Sequence, residues 1–380
     1  MSFWGQARPY RKNLNRSNGT GIVAKAATGN GGTIGAAKKY GSDSGIFRLQ
    51  DVYESTYFTT PSLYNFTTFT FKPIVARGYN LGPTLAQMQT AYAGQPFLSG
   101  FFTQGAFQGY QRWTVPADGL YEFDMGGAKG GAGNQDGGSG ASLTVAFGAR
   151  QIIQLTLLAG HQLDIVVGSG GGTNGGAHGN ENGGGGGTFV KNISLGSPFD
   201  LLAATGGAGG APSVSYGPGC SRNISYGHGS IYESPSYQYC VYNPSGRSSG
   251  AGGNTAGSYQ GGAGGGYYTS GQNGGTHCAT ALGGLGFAYG MVGGTGNSCY
   301  TTDNKGGFGG GGGGQLGTPG AGGGYSGGYS SGQWSNYSTW GGAGGSYYIP
   351  SATRTYGATG GNQTSLGGYY GAGYCTITRL

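Results

Sequence analysis

The sequence predicts a mainly β fold with an inserted bundle of glycine helices and an extended N-terminal arm. Three observations lead to this prediction. Glycine accounts for 94 of the 380 residues, and most of it lies after about residue 126. Aromatic residues make up 13% of the chain, including 29 tyrosines, whereas charged residues make up only 8%. Apolar segments typical of strands lie before, between and after the glycine runs.

Residues 1–60 are predicted to form a basic arm that docks to another protein. The first 48 residues hold eight basic side chains and one acidic side chain, which gives +7 (8 − 1). Such charge suits nucleic acid or an acidic protein surface. We expect no specific nucleic-acid partner, because no nucleic-acid motif is present. Ser44–Glu54 has the apolar spacing of a short helix or docking hook. The expected docking residues are Arg8, Arg11, Lys12, Arg16, Ile46, Phe47, Leu49, Val52 and Tyr53.

Residues 61–170 are predicted to form a β-sandwich with one short helix. Tyr64–Phe71 is rich in threonine and aromatic residues, as strands often are. Trp113–Met125 is typical of two strands joined by a turn at Pro116–Gly119. The helix is expected at about residues 84–92, where Leu85, Met88 and Tyr92 share one face and Gly94 follows as a stop.

Three further segments complete the predicted strands. Ala141–Phe147 and Gln151–Val167 have the apolar character of paired strands. Residues 369–380 end in an alternating segment, Tyr374–Leu380. We therefore expect the C-terminus to return and close the sheet that residues 63–167 begin.

Residues 171–368 are predicted to be the glycine-rich bundle. A glycine run has no side-chain core, so it either remains a flexible linker or packs backbone against backbone. The high aromatic and low charged content argues against disorder. Collagen is excluded because no strict Gly-X-Y period is present. We expect polyproline-II-like helices with about three residues per turn, joined by backbone hydrogen bonds.

Several classes of function are not expected from this sequence. No stretch of 18 apolar residues exists, so we expect no membrane span, and Met1–Tyr10 lacks the apolar region of a secretory signal. The four histidines lie in dissimilar contexts, and the five cysteines form no C-x-x-C pair. We therefore predict no catalytic residue, metal or cofactor. If the protein is oxidised, Cys220 is able to pair with Cys240, and Cys278 with Cys299.

A series of motifs resembles one known family. The pattern GPTxxQxxxxY is present as Gly82, Pro83, Thr84, Gln87 and Tyr92. The sequences WTVPADGLY and GAKGG follow in order, and GGGYSGG and GGAGGS come near the end. Together they are similar to the glycine-rich domain of the anaplastic lymphoma and leukocyte receptor tyrosine kinases. The resemblance implies a jelly-roll sandwich with an inserted glycine-helix bundle, and it implies no kinase activity. The cysteines that this family usually carries in its opening motif are absent.

A second resemblance points to a virion. Gly45–Glu54 is similar to short segments found early in tailed-bacteriophage tail-fibre proteins. The alternation of glycine runs and tyrosine loops resembles the tip adhesins of T-even-type phages. These resemblances imply a non-enzymatic virion protein, assembled in the host cytoplasm and oligomeric by analogy with trimeric fibres. A capsid or tail spacer and a secreted ligand-binding domain are the alternatives.

The tyrosine-rich loops are the candidate binding residues. Tyrosine and tryptophan give a large contact area at low entropy cost and carry a polar tip. Such loops suit a bacterial surface glycan or outer-membrane protein, but the same tyrosines are also able to cover the glycine bundle. Both interpretations remain open. The candidates are Tyr232, Tyr237, Tyr239, Tyr242, Tyr267, Tyr268, Tyr329, Trp334, Tyr337 and Trp340.

Overall fold

The computed structural model describes thirteen stretches of the chain, all within the unit Thr59–Leu380. They are residues 62–132, 146–173, 182–196, 200–210, 230–233, 249–255, 260–275, 280–296, 304–315, 318–330, 341–362, 365–366 and 369–380. The predicted docking residues Arg8, Arg11, Lys12, Arg16, Ile46, Phe47, Leu49, Val52 and Tyr53 lie outside them. So do Cys220, Cys240, Cys278 and Cys299.

The protein is mainly β, as predicted, and its first sheet has five antiparallel strands. The strands are β1 (Thr68–Phe71), β4 (Gly119–Gly126), β5 (Arg150–Leu157), β10 (Thr353–Ala358) and β13 (Tyr374–Arg379). Their order is β1-β13-β4-β5-β10. The C-terminal strand β13 thus lies between β1 and β4, and it closes the sheet as the sequence predicts.

The second sheet has six antiparallel strands. These are β2 (Phe102–Gln104), β3 (Gln111–Thr114), β6 (Gln162–Val166), β7 (Thr188–Asn192), β8 (Leu201–Thr205) and β9 (Tyr347–Tyr348), in that order across the sheet. A small pair, β11 (Ser365–Leu366) and β12 (Tyr369–Tyr370), is separate. Strands β7 to β10 come from the interval predicted as glycine-rich, so this interval also contributes to both sheets.

One apolar core joins the two sheets, which is the arrangement expected of a β-sandwich. Phe123 and Ile153 of the first sheet belong to the same buried cluster as Trp113 and Leu163 of the second. Aromatic side chains fill much of it, with Phe71 and Trp113 at 6.2 Å between ring centroids. Cys375 is a free, buried thiol in this core.

The predicted helix is present as α1 (Leu85–Ala91). Thr84 and Gln87 form a capping box: the Thr84 hydroxyl accepts from the Gln87 N–H at 3.3 Å, and Gln87 Oε1 accepts from the Thr84 N–H at 2.8 Å. Met88 is the residue of α1 that enters the core. None of the helices described is long and apolar enough to cross a bilayer.

The predicted pairing of Ala141–Phe147 with Gln151–Val167 is wrong, because other strands lie on both sides of each strand in 151–167. Residues 151–167 hold two strands, β5 and β6, which lie in different sheets because the turn at Gly160 (φ 80°) sends the chain across the core. Strand β5 pairs with β4 and β10, and β6 pairs with β3 and β7. Residues 146–147 belong to no strand, and 141–145 lie outside the described residues.

The glycine segments are described stretches of backbone that hydrogen-bond to one another. They are residues 127–132, 168–173, 182–187, 206–210, 250–255, 260–266, 271–275, 281–286, 291–296, 304–307, 309–315, 318–324, 326–330 and 341–345. Their N–H groups donate to carbonyl groups of other segments at 2.7–3.3 Å. Most glycine Cα atoms face another backbone so closely that a Cβ would overlap it. Glycine is therefore required here by close approach.

The hydrogen bonds of residues 183–187 repeat with a period of three. N–H donors three residues apart bond to the same neighbouring segment. The two donors between them bond to two other segments. Gly183 and Gly186 donate to Gly172 and Ser169, Gly184 and Gly187 donate to Gly312 and Gly309, and Gly185 donates to Ala208.

A second apolar cluster joins the glycine segments to the six-stranded sheet. Phe308 and Phe287 come from the glycine-rich interval, and Tyr110, Val166 and Phe189 come from the sheet and the loop before β3. The Tyr110 hydroxyl donates to the Phe287 carbonyl at 2.5 Å. The sheet and the glycine segments therefore share one continuous packed interior.

Candidate functional site

Five tyrosines from four separate parts of the chain converge beside the six-stranded sheet. We call Tyr232, Tyr267, Tyr268, Tyr325 and Tyr347 the tyrosine cluster. Backbone hydrogen bonds connect these segments, either between two tyrosines or between a tyrosine and a glycine or serine. The Tyr267 N–H donates to Tyr325 O at 2.8 Å, Tyr268 N–H to Gly250 O at 2.8 Å, Tyr325 N–H to Gly345 O at 2.8 Å, and Ser346 N–H to Tyr232 O at 2.9 Å.

Ring contacts run through this cluster from the interior to the surface. Tyr267 lies 5.2 Å from Phe287 of the second apolar cluster and 6.4 Å from Tyr325, stacked on it. Tyr325 stacks on Tyr347 at 4.6 Å. Tyr268 packs edge-on against Tyr267 at 4.9 Å. The Tyr267 ring holds the exposed Tyr268 ring in place, and this lowers the entropy cost of binding through Tyr268.

Charged side chains flank the stacked rings. Lys191 Nζ lies 3.0 Å from Asp200 Oδ2, and the Tyr267 hydroxyl donates to Asp200 Oδ1 at 3.2 Å. Lys191 also lies over the Tyr267 and Phe287 rings, at 5.9 and 5.7 Å from their centroids. Glu233 is exposed beside Tyr232. The cluster therefore offers ring faces, phenol groups and carboxylates at one place.

Burial raises the pKa of three phenols of this cluster, Tyr267, Tyr325 and Tyr347. It raises the pKa of Tyr267, with Asp200 as the next cause, and it raises the pKa of Tyr347, with Glu233 as the next cause. Burial, followed by the negative charges that form on Tyr268 and Glu233, raises the pKa of Tyr325 to about 12. These hydroxyls remain hydrogen-bond donors at neutral pH.

We expect a pH dependence of stability from Tyr325. Its folded pKa of about 12 lies above the ordinary value of 10.0, so the folded state binds this proton more tightly than the unfolded state. Its contribution is complete below pH 10 and is lost as the pH rises to about 12. Urea unfolding at pH 8 and across this window gives the decrease in the free energy of unfolding as the pH rises. This decrease should be smaller for Tyr325→Phe than for the wild type. Equal decreases in the two proteins would contradict the assignment of this pH dependence to Tyr325.

The structure brings three of the predicted binding residues together and separates a fourth. Tyr232 and Tyr268 are 61% and 55% exposed, so both are able to contact a partner. Tyr267 is 7% exposed and supports the outer rings. Tyr329 is 3% exposed and lies among the glycine segments, where its carbonyl accepts from the Gly342 N–H at 2.7 Å. Burial of Tyr267 and Tyr329 therefore assigns both to the interior.

The other six predicted binding residues lie outside the described residues. They are Tyr237, Tyr239, Tyr242, Trp334, Tyr337 and Trp340.

Sequence reasoning missed four members of this site. Tyr325, Tyr347, Asp200 and Glu233 come from segments far apart in the chain. The Tyr-Tyr pair at 347–348 follows a glycine run, as the pair at 267–268 does, and this shared context was the available signal. No pattern indicated the two carboxylates.

The arrangement offers groups that are able to bind a partner. In the described part of the chain, no group of three or more His, Cys, Asp or Glu side chains is placed to hold a metal ion. The polar groups of the cluster are phenols and carboxylates fixed by neighbours, and they surround aromatic rings of which two are exposed. No protein-family model matches the chain, and no curated protein matches it either.

Proposed function

We propose that the glycine segments form a bundle of polyproline-II-like helices inserted into a jelly-roll sandwich. The period of three in the hydrogen bonds of residues 183–187 supports this, because such a helix has about three residues per turn. Exposure has the same period in the segment 281–286, where Leu282 and Leu285 are exposed and the residues between them are buried. The jelly-roll topology rests on the resemblance to the receptor glycine-rich domains.

This chain is a structural protein of a tailed-bacteriophage virion, most specifically a tail fibre or tip adhesin. Residues 1–60 attach it to other virion proteins, and the tyrosine-rich surface contacts the host. The observation that carries this proposal is the tyrosine cluster, in which the exposed Tyr268 packs on the buried Tyr267 ring and the backbone of the exposed Tyr232 accepts a hydrogen bond from Ser346. Pre-ordered aromatic side chains bind partners at low entropy cost.

The tryptophan-containing segment 331–340 adds to this surface in the proposal. Its flanking residues are both fixed to glycine segments. The Ser330 hydroxyl donates to Pro319 O at 3.2 Å, and the Gly341 N–H donates to Gly210 O at 3.1 Å.

The proposed ligand is a glycan or an outer-membrane protein on the bacterial surface. Ring faces stack on the apolar faces of sugars or protein side chains, and phenols and carboxylates form hydrogen bonds with hydroxyl and amide groups. No cofactor takes part.

Phage adsorption tests this function. Virions carrying Tyr232→Ser and Tyr268→Ser together should adsorb to permissive cells at least ~30-fold more weakly, the loss typical of truncated interface anchors. Tyr356→Ser is the matched control, since Tyr356 is also exposed but lies on β10. Thermal unfolding of the purified double variant and of the purified control should be close to that of the wild type.

Two results would overturn the adhesin function. Unchanged adsorption of the double variant, with the chain present in the virion by mass spectrometry, would favour a capsid or tail spacer. Absence of the chain from purified virions, together with its recovery from the medium, would favour a secreted ligand-binding domain.

A further inference from the structure

Six large apolar side chains are exposed on three uncharged segments of the chain. We call Tyr79, Leu81, Phe107, Leu282, Leu285 and Tyr289 the apolar strip. The segments that carry them, residues 79–82, 105–111 and 280–296, contain no Asp, Glu, Lys or Arg. Scattered exposed apolar residues are normal, but a contiguous group marks an interaction surface.

Hydrogen bonds and packing place these segments side by side. The Leu285 N–H donates to Val292 O and the Leu282 N–H to Thr295 O, both at 2.8 Å. The Gly293 N–H from the same returning segment donates to Asn80 O at 2.8 Å, between Tyr79 and Leu81.

Residues 105–111 join the strip next to Tyr289. The Phe107 ring covers Gly290, next to Tyr289, closely enough that a Cβ on Gly290 would lie 3.3 Å from it. The three segments thus form one surface.

The exposed apolar area is near what a stable interface needs. Tyr79, Tyr289 and Phe107 are 63%, 57% and 39% exposed. They present on the order of 300 Å², since a whole aromatic side chain covers about 150–250 Å². The three leucines raise this to on the order of 450 Å². A standard interface uses about 800 Å² per partner, of which somewhat more than half is apolar.

We infer that the apolar strip is the surface through which one copy of this chain binds another. Most soluble oligomers are built from identical chains, and in a two-fold interface the same surface patch is buried on both copies. The strip supplies about the apolar area that one partner of such an interface needs, with Leu282 and Leu285 exposed between buried glycines. Its lack of charge disfavours nucleic acid and anionic lipid as occupants, because both are bound mainly through basic side chains. The inference is independent of what the tyrosine cluster binds.

Sedimentation velocity of the purified full chain, across a concentration series, tests this interface. The wild type should sediment as an oligomer at micromolar concentrations. Leu285→Lys and Tyr289→Lys, made separately, should each weaken self-association at least ~30-fold by placing a charge in a desolvated apolar contact. Leu158→Lys is the matched control, because Leu158 is 52% exposed in the turn between β5 and β6, and it should leave self-association unchanged.

Each remaining outcome overturns the inference. A monomeric wild type excludes a second copy as the occupant and leaves the strip to a different protein. An oligomer that both lysine variants preserve, with unchanged circular dichroism, places the interface elsewhere. If one variant fails to fold, the other decides.

Discussion

Replacing Gly186 with alanine should destabilise the protein by about 3 kcal/mol or more, or prevent folding. A Cβ on Gly186 would overlap the carbonyl oxygen of Phe308 and come within 2.9 Å of Gly309 Cα. Backbone atoms on both sides have no room to move, because Gly186 also donates to Ser169 O and accepts from the Ala128 N–H. Overpacking of this kind typically costs about 1–3 kcal/mol, and more where the backbone itself must shift. Chemical denaturation gives the free energy of unfolding.

Gly196→Ala is the matched control for Gly186→Ala. Gly196 is exposed, and nothing lies within 4 Å of the position that its Cβ would take. The control should be neutral or up to ~1 kcal/mol stabilising, because alanine restricts the unfolded chain. Equal, small effects at the two positions would contradict tight backbone packing of the glycine segments.

Phe308→Ala should lower the free energy of unfolding by about 3–5 kcal/mol, the cost of removing a buried aromatic ring. Phe308 is 1% exposed and joins the glycine segments to the six-stranded sheet. Its ring fills the space between Gly82 and Gly109, where either Cβ would lie within 2.9 Å of Phe308 Cε1. The cavity would therefore open at the junction of the two parts.

The same denaturation experiment supplies the control for Phe308→Ala. Leu158→Ala removes an exposed side chain and should cost less than ~1 kcal/mol. A loss below ~1 kcal/mol for Phe308→Ala would mean that the glycine segments contribute little to the cooperative fold.

Strands and helices were predictable where the local sequence pattern is sufficient to specify them. Trp113–Met125 has alternating apolar residues around a turn, and the structure has β3 and β4 there. The helix α1 followed from one apolar face, with Leu85, Met88 and Tyr92, and from Gly94 as a stop. The closing strand β13 followed from its alternation at the end of the chain.

The predictions that failed concern contacts between residues that are distant in the sequence. Residues 151–167 form one stretch rich in apolar residues, and this composition did not show that β5 and β6 enter different sheets. The tyrosine cluster is assembled by backbone hydrogen bonds among Tyr267, Tyr325 and Gly345, and these are invisible in local composition. For the same reason, the sequence did not show that Tyr267 and Tyr329 are buried whereas Tyr232 and Tyr268 are exposed.

Amide hydrogen exchange of the purified full chain, read by mass spectrometry, tests the ordering of the glycine segments most directly. Peptides covering residues 183–187 and 309–315 should exchange at least ~1,000-fold more slowly than an unstructured chain, because their N–H groups are bonded within a cooperative unit. Exchange of these peptides at the unstructured rate, while β4 and β13 remain protected, would show flexible linkers. That result would contradict the rigid support on which the tyrosine cluster is built.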